Sequence, residues 1–326
     1  MELLNVPNFS ILIEWENLRI AELWRAKRML QEVAKQIREV SENLSLHPEI
    51  IILYNEEVPK DYKIEQFVRE ALGSYISLIV LKIISTPNLN YYEQRNFGVK
   101  YCSNEILIFL DCDVIPDEGW LTALLAPFKD EEISVVSGLP YVSPTNMYHK
   151  ALALFWIFPP KDDPDYRTSL LPEFVPDNVA IRREVFLKNK FPHSDTYRGA
   201  IVDHCNLIKA KGYKIFRQPK ATVSHPTPIG LKNVAIRSLC EGHDKFFAWR
   251  GSHDRFLNNS SRKKHSIIRF IKQQFSVYRE RCKFVDLSLK DKIGVFCIGS
   301  VWFGFMLFGF LLTAINPRLI NSRIKI

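Results

Sequence analysis

Asp111 and Asp113 stand two residues apart, directly after the apolar residues Ile106, Leu107, Ile108, Phe109 and Leu110. Both carboxylates could reach one ligand if the chain leaves its strand between them. Paired hard oxygen donors suit Mg²⁺ or Mn²⁺, and such an ion suits a diphosphate. The same pair also suits a solvated acidic turn, because Asp is common in turns. The apolar run, with its β-branched and aromatic residues, reads as a strand buried on both faces, in the middle of a parallel sheet. Ligands of open α/β sheets bind at the carboxyl edge of the strands, which is where the two Asp fall.

Other segments must build that edge. Residues 9–15 read as a first strand, with Glu14, Glu16 and Asn17 at its C-terminal end. A helix follows over about 21–40, with Leu23, Ala26, Leu30, Val33, Ala34 and Ile37 on one face. Residues 49–54 are a second strand closed by Asn55 and Glu56. A short helix at 64–72 leads to a third strand, 77–84, and residues 91–101 look helical. The Asp111 strand is the fourth. Strands alternating with helices predict a parallel, doubly wound sheet. Right-handed crossovers put the strand ends on one edge, so Glu14, Glu16, Asn17, Asn55, Glu56 and Asp111 should line one crevice. Beyond it, Asp117 can cap a helix reaching about 127. Strands follow at 135–141, 178–182, 213–217 and 221–224, the last two flanking Pro219. A helical turn at 183–188 and helices at 201–211, stopped by Gly212, and at 229–249 complete the pattern. His225 stands at the end of the last strand.

The chain has 326 residues and a formal charge of +8. The length allows one large domain with an appendage, or two domains. From residue 255 onward 14 Lys and Arg face 3 Asp and Glu, whereas residues 1–254 hold 30 against 33. The basic character belongs to the tail. That argues against nucleic acid as a partner and for an anionic membrane surface. The six Cys form no CxxC pair, which points to a reducing compartment rather than a disulfide framework or zinc site. No charged segment precedes an apolar run in residues 1–8, so no secretory signal is predicted.

Two membrane signals close the sequence. Ile267, Ile271, Phe275, Tyr278, Cys282 and Val285 recur at helical spacing, with Arg269, Lys272, Arg279, Arg281 and Lys283 largely off that stripe. This describes a basic amphipathic helix, either interfacial or packed on the domain. Residues 293–315 carry no charge and are long enough, at roughly 35 Å, to cross a bilayer. The heavier Lys and Arg content on the N-terminal side would keep the folded domain in the cytoplasm. The expected organisation is a catalytic domain over 1–254, a basic amphipathic segment over 255–292, a transmembrane helix over 293–315 and a short basic tail over 316–326. Gly294, Gly299, Gly304 and Gly309 fit no dimerisation motif.

The arrangement resembles the family 2 glycosyltransferases of GT-A fold. The likeness is carried by Glu14, Trp15, Glu16 and Asn17; by Gln94, Arg95, Asn96 and Gly98; by the block from Phe109 through Asp111, Asp113 and Pro116 to Gly119, Trp120 and Leu121; by Asn178, Ala180, Ile181, Arg182, Arg183 and Glu184; and by Gly212, Tyr213, Pro219 and His225. It covers most of 9–250. The resemblance implies a GT-A, Rossmann-like α/β fold with a mostly parallel twisted sheet flanked by helices. It also implies roles. Asp111 would contact the nucleotide, Asp113 would bind Mn²⁺ or Mg²⁺ across the diphosphate, and His225 would be a second metal or diphosphate ligand. Glu14, Glu16, Asn17 and Glu56 would lie where the family holds base and ribose. Arg95 would face the diphosphate.

There are departures. The first strand ends in Glu14, Trp15, Glu16 and Asn17 instead of a Pro-Thr-Tyr-Asn-like turn, and the second in Asn55 and Glu56 instead of two Asp. Inverting members place a Glu-Asp pair at the start of the helix before Gly212 and Tyr213. Here that pair falls on Ala200 and Ile201. Asp203 is two residues later and is the candidate base, with His204, Asp195 and His193 as nearby substitutes. The expected function is transfer of a sugar from a nucleotide-sugar donor to a lipid-linked or envelope-glycan acceptor at a membrane. A nucleotidyltransferase of similar fold and an inactive nucleotide-sugar binder are the alternatives. Residues 9–17 contain no Gly, which counts against the former.

Overall fold

The computed structural model describes residues 6–15, 22–56, 63–161, 169–194, 196, 199–258 and 267–321; within them, side chains are not described at 251–258, 267–271, 273, 274, 318 and 321. Glu16, Asn17 and Asp195 therefore lie outside the described residues. The chain divides into two units, one of residues 1–140, 164–193 and 200–226, the other of 141–163, 194–199 and 227–326.

The first unit is built on a sheet of eight strands. In chain order these are β1 (Phe9–Glu14), β2 (Glu49–Asn55), β3 (Val80–Thr86), β4 (Ile106–Asp111), β5 (Ile115–Pro116), β6 (Val135–Tyr141), β7 (Asn178–Arg182) and β8 (Ile215–Ser224), and they lie in the order β3-β2-β1-β4-β7-β6-β8-β5. The first four are parallel. β7 then runs antiparallel to β4, with Leu110 opposite Asn178. The sheet is therefore mixed. Alternation along β1 explains the burial on both faces. Ile11 and Ile13 enter one core cluster with α1 (Leu23–Ser41), while Leu12 enters the other with Phe109 and Phe186. Helices α1, α2 (Ile64–Leu72) and α4 (Trp120–Leu125) cover the first face; α6 (Arg183–Lys188) and α7 (Gly199–Ala210) cover the second. α3 (Tyr91–Gly98) begins with a capping box of Asn90 and Glu93.

Three details differ from expectation. Gly119 at φ +75°, not Asp117, precedes α4, and the Asp117 carboxylate instead accepts from Thr222 Oγ1 at 2.6 Å. The segments either side of Pro219 form one strand, β8. Residues 147–155 form a helix, α5 (Met147–Phe155), announced only by the Asn146 side chain, which accepts from the His149 N–H. Gly212 ends α7 as expected. At φ +87° it lets the Tyr213 N–H reach back to the Ile208 carbonyl at 3.1 Å.

One side-chain network ties the antiparallel half together. Asn178 Oδ1 accepts from Trp120 Nε1 at 2.8 Å, and Asn178 Nδ2 donates to the Ala221 carbonyl at 2.9 Å. The amide passes beside Gly138 of β6, where a Cβ would stand 2.3 Å from Asn178 Nδ2 and 2.5 Å from the Ala221 oxygen.

The second unit contains α5, α8 (Gly230–Asn258), α9 (Ile267–Arg281), α10 (Leu289–Ile315) and α11 (Arg318–Asn321). On α9, Tyr278 stacks on Phe155 with centroids 5.0 Å apart, Val285 just beyond it is buried, and Phe275 is 69% exposed. Ile267, Ile271 and Arg269 have side chains outside the described set. Arg281 is buried and donates to the Ala153 and Trp156 carbonyls at the C-terminal end of α5. α10 is long and apolar enough to cross a membrane by length and composition.

Gly138→Ala should lose about 1–3 kcal/mol through the clash with the Asn178 amide and the Ala221 carbonyl. Urea unfolding measures it; an unchanged midpoint would show that the three strands separate without cost.

Candidate functional site

Parallel register brings the ends of β1 and β4 side by side, with Glu14 opposite Asp111. Glu14, Asp111 and Asp113 are all buried. The antiparallel direction of β7 brings its N-terminal end to the same edge, so Asp177, just before Asn178, joins them; the Asp111 N–H donates to the Asp177 carbonyl at 3.4 Å. β8 ends there as well. Ile115 of β5 pairs with Ser224, which sets His225 beside the turn at 112–114.

Basic groups hold these pieces. Arg25 of α1 donates from Nε to the Asp113 carbonyl and from Nη2 to the Ser224 carbonyl, both at 2.7 Å. The turn carrying Asp113 and the strand carrying His225 thus share one guanidinium. Arg95 is fully buried. Its Nη2 meets Asp111 Oδ1 at 2.5 Å, and its Nη1 donates to the Pro176 carbonyl. Tyr91 Oη donates to the same Asp111 oxygen at 2.7 Å, and the Arg95 guanidinium lies over the Tyr91 ring at 4.1 Å. Burial opposes the Arg95 charge, while Asp111 and Glu14 sustain it. Burial pushes the Tyr91 hydroxyl well above its usual range, which keeps it a donor.

Asp177 is the residue the sequence reading did not reach. Neither of its buried oxygens accepts a hydrogen bond from the described residues; His225 Nε2 stands 3.7 Å from Oδ2. Burial first, then the Asp111 and Asp113 charges, push this carboxyl well above the ordinary carboxylate range, and Arg95 pulls the other way. His225 Nδ1 lies 2.6 Å from the Pro226 carbonyl. A carbonyl accepts only, so Nδ1 carries a proton and Nε2 is the ring nitrogen turned towards Asp177, the orientation a metal-binding imidazole takes.

The donor set fits a hard divalent cation: carboxylate oxygens, an oriented imidazole, and a buried carboxylate without hydrogen bonds. Among the described residues no three His, Cys, Asp or Glu side chains are arranged to hold an ion by themselves. Such an ion would need phosphate oxygens to complete its shell, as Mg²⁺ sites commonly do.

The structure thus assembles Glu14, Arg95, Asp111, Asp113 and His225, and adds Asp177, Tyr91 and Arg25. Glu56 follows the end of β2 and is exposed. Asp203 lies on the exposed side of α7 and has no hydrogen bond or ion pair among the described residues. Ala200 and Ile201, at the positions of the Glu-Asp pair, are buried in the core. His204 is buried among Phe174, Phe186 and Phe191, the last with its centroid 4.6 Å away, and burial lowers its pKa to about 4. His193 is an exposed partner of Glu93 at 3.5 Å. The signal for Asp177 was its place directly before the Asn178 block; the missing information was that β7 runs backwards.

Comparison with known proteins follows from this geometry. Residues 27–189 match the description of glycosyl transferase family 2. A pre-mycofactocin glycosyltransferase of Mycobacterium tuberculosis, in strains CDC 1551 / Oshkosh and ATCC 25618 / H37Rv, is 28% identical over 157 residues, 45% of this chain. The match takes in 32% of that relative, so the chain spans about a third of its length. The mannosyltransferase PcManGT from Pyrobaculum calidifontis, solved in complex with GDP-Man and Mn²⁺, is similar in fold with a TM-score of 0.53 at 13% identity, over 97% of this chain and 78% of that one.

Asp111→Ala should leave the Arg95 cation buried without its nearest counter-ion and cost roughly 3–5 kcal/mol. Chemical denaturation reads this, and a loss below about 1 kcal/mol would mean that Glu14 takes over the pairing. His204 gives a pH signature. The unfolded chain binds its proton near 6.5 and the folded chain only near 4. Its contribution is therefore complete above pH 6.5 and lost as pH falls towards 4, by about 3 kcal/mol. His204→Phe should flatten that part of the stability profile between pH 7 and 4.5; parallel profiles would exclude the assignment.

Proposed function

The chain belongs to glycosyl transferase family 2, and from that membership we propose that it moves a sugar from a nucleotide-diphosphate sugar to a lipid-linked or cell-envelope glycan acceptor, with divalent-metal dependence and inversion at the anomeric carbon. That it is a glycosyltransferase follows from the family. The observation that carries the finer reading is the group of buried acids, Asp111, Asp113 and Asp177, facing an oriented His225 at one sheet edge.

The roles follow from the contacts. Asp111 is held by Arg95 and Tyr91 through one oxygen, and its role would be to contact the ribose or base. Glu14, with Glu16 and Asn17 after it and Glu56 at the neighbouring strand end, contributes to the nucleotide pocket. Asp113 and His225 would hold Mn²⁺ or Mg²⁺. Bound there, the ion would act as Lewis acid and template for the leaving diphosphate. Arg95 is held by Asp111 and the Pro176 carbonyl, so it acts on the donor through Asp111. Asp203, solvent-facing on α7, accepts the proton of the acceptor hydroxyl, the single base an inverting displacement requires. The basic tail and the six free cysteines support a place at the cytoplasmic face of a membrane.

A second reading, a catalytically silent nucleotide-sugar binder, is favoured by one observation: α7 turns Ala200 and Ile201 into the core where the base pair would stand. Purified protein incubated with Mn²⁺ and UDP-, GDP- or dTDP-sugars should release nucleoside diphosphate from one donor. Asp113→Ala should abolish metal-dependent donor binding, and unchanged binding would remove the metal role. Asp203→Asn should cut turnover about 100-fold or more at unchanged donor affinity. Full turnover would place the base elsewhere, and donor binding without release from any donor would favour the silent binder.

A further inference from the structure

α10 is 27 residues long, about 40 Å, and apolar enough to span a bilayer. Its partners within the second unit tell against that orientation. Polar contacts line one side from end to end. Asp291 pairs with Lys150 Nζ at 2.9 Å, Trp302 Nε1 donates to Glu241 Oε2 at 3.2 Å, and Thr313 Oγ1 meets His243 Nδ1 at 2.9 Å. Asp291 to Thr313 covers roughly 33 Å of helix, the full thickness of a hydrocarbon core. α8 packs against α10 backbone to backbone. A Cβ on Gly242 would stand 1.9 Å from the Met306 carbonyl, and one on Gly309 would stand 2.3 Å from the Leu239 carbonyl. Gly294 and Gly299 are likewise closed over by Met147 and Phe155. A span would therefore drag Glu241, Asp244 and Lys245 of α8 and Lys150 of α5 to bilayer depth, where each charge is costly.

The opposite side of α10 is different. Ile293, Phe296, Leu307, Phe308, Leu311 and Ile315 are exposed, each by 50% or more. At 100° per residue they fall on one arc, facing away from Val295, Gly299, Trp302, Gly309 and Thr313, which are buried. An exposed apolar face of this length marks a contact with a membrane or a protein. Charge selects the membrane. Lys290 and Lys292 lie at the N-terminal end of α10, Lys283 just before it pairs with Glu280, and residues 255–326 carry 14 Lys and Arg against 3 Asp and Glu. Beside that end lies a cleft of about 720 Å³ whose walls combine Lys283 and Lys292 with one acid, Asp286, and with Tyr278, Phe284 and Leu287. Cationic and apolar groups so mixed match a phospholipid headgroup and its upper chain.

We propose that α10 lies in the plane of the membrane, not across it, with its apolar face in one anionic leaflet and α5 and α8 on the water side. Both ends of α10 are then on the same side of the bilayer. With Cys282 and Cys297 both replaced by Ser, Lys290→Cys and Asn316→Cys should each react with a membrane-impermeant maleimide in sealed, inverted membrane vesicles. Reaction of one position only, with the other revealed by detergent, is a span and overturns the proposal. Reaction of both only from the outer face of intact cells keeps the in-plane helix and overturns the cytoplasmic placement alone. In a second experiment, Phe296→Glu with Leu311→Glu, on exposed positions that leave the fold intact, should weaken binding to phosphatidylcholine vesicles with 30% phosphatidylserine about tenfold. Unmodified protein that does not bind those vesicles would assign the face to a protein partner and refute the lipid contact. Donor turnover is not read in either experiment, so failure here leaves the transferase reading untouched.

Discussion

Buried negative charge at the carboxyl edge of the sheet is the constraint that shapes the first unit. Glu14, Asp111, Asp113 and Asp177 are each at most 6% exposed. Burying a carboxylate is unfavourable unless it is paired, bonded or protonated. Arg95 and Tyr91 satisfy Asp111. Arg25 is nearby and donates to the backbone carbonyls of Asp113 and Ser224. Asp177 is left with a histidine at 3.7 Å and a carboxyl pushed towards its neutral form. Buried charge of this kind is stabilised by any cation that binds beside it.

That concentration of acids persists because the surrounding frame is rigid. Arg25 couples the Asp113 turn to the end of β8, and Asn178 couples α4, β7 and β8 beneath Gly138. Both act on backbone carbonyls, whose positions vary less than side chains. Several motif residues therefore serve the frame, not the ligand. Trp120 and Asn178 bond each other, and Arg182 bonds the Ile133 and Phe128 carbonyls. Their regular spacing in the sequence reflects the sheet they hold.

The second unit follows a different logic. Its helices approach through glycine, and its polar side chains are matched across helices. α10 keeps one long apolar face exposed. Arg281 shows how little of this a charge pattern conveys. It belongs to a basic stripe in the sequence, yet it is buried and caps the end of α5.

Length, alternation and period settled much in the sequence alone. β1 to β4, the strand at 178–182, α1, α7 with its Gly212 stop and the apolar α10 were legible, because hydrophobic period and turn residues are local properties. So was the place of Asp111 and Asp113 at the carboxyl end of β4. Strand direction was not legible, since a five-residue apolar run reads the same both ways, and Asp177 was missed for that reason. Nor was helix rotation, which turned His204 inward and left Asp203 outside. The role of each α10 glycine was also hidden, because it depends on the helix lying against it. Local sequence determines which elements form; which side chains meet depends on contacts between residues far apart in the chain, and those exist only once the elements have packed.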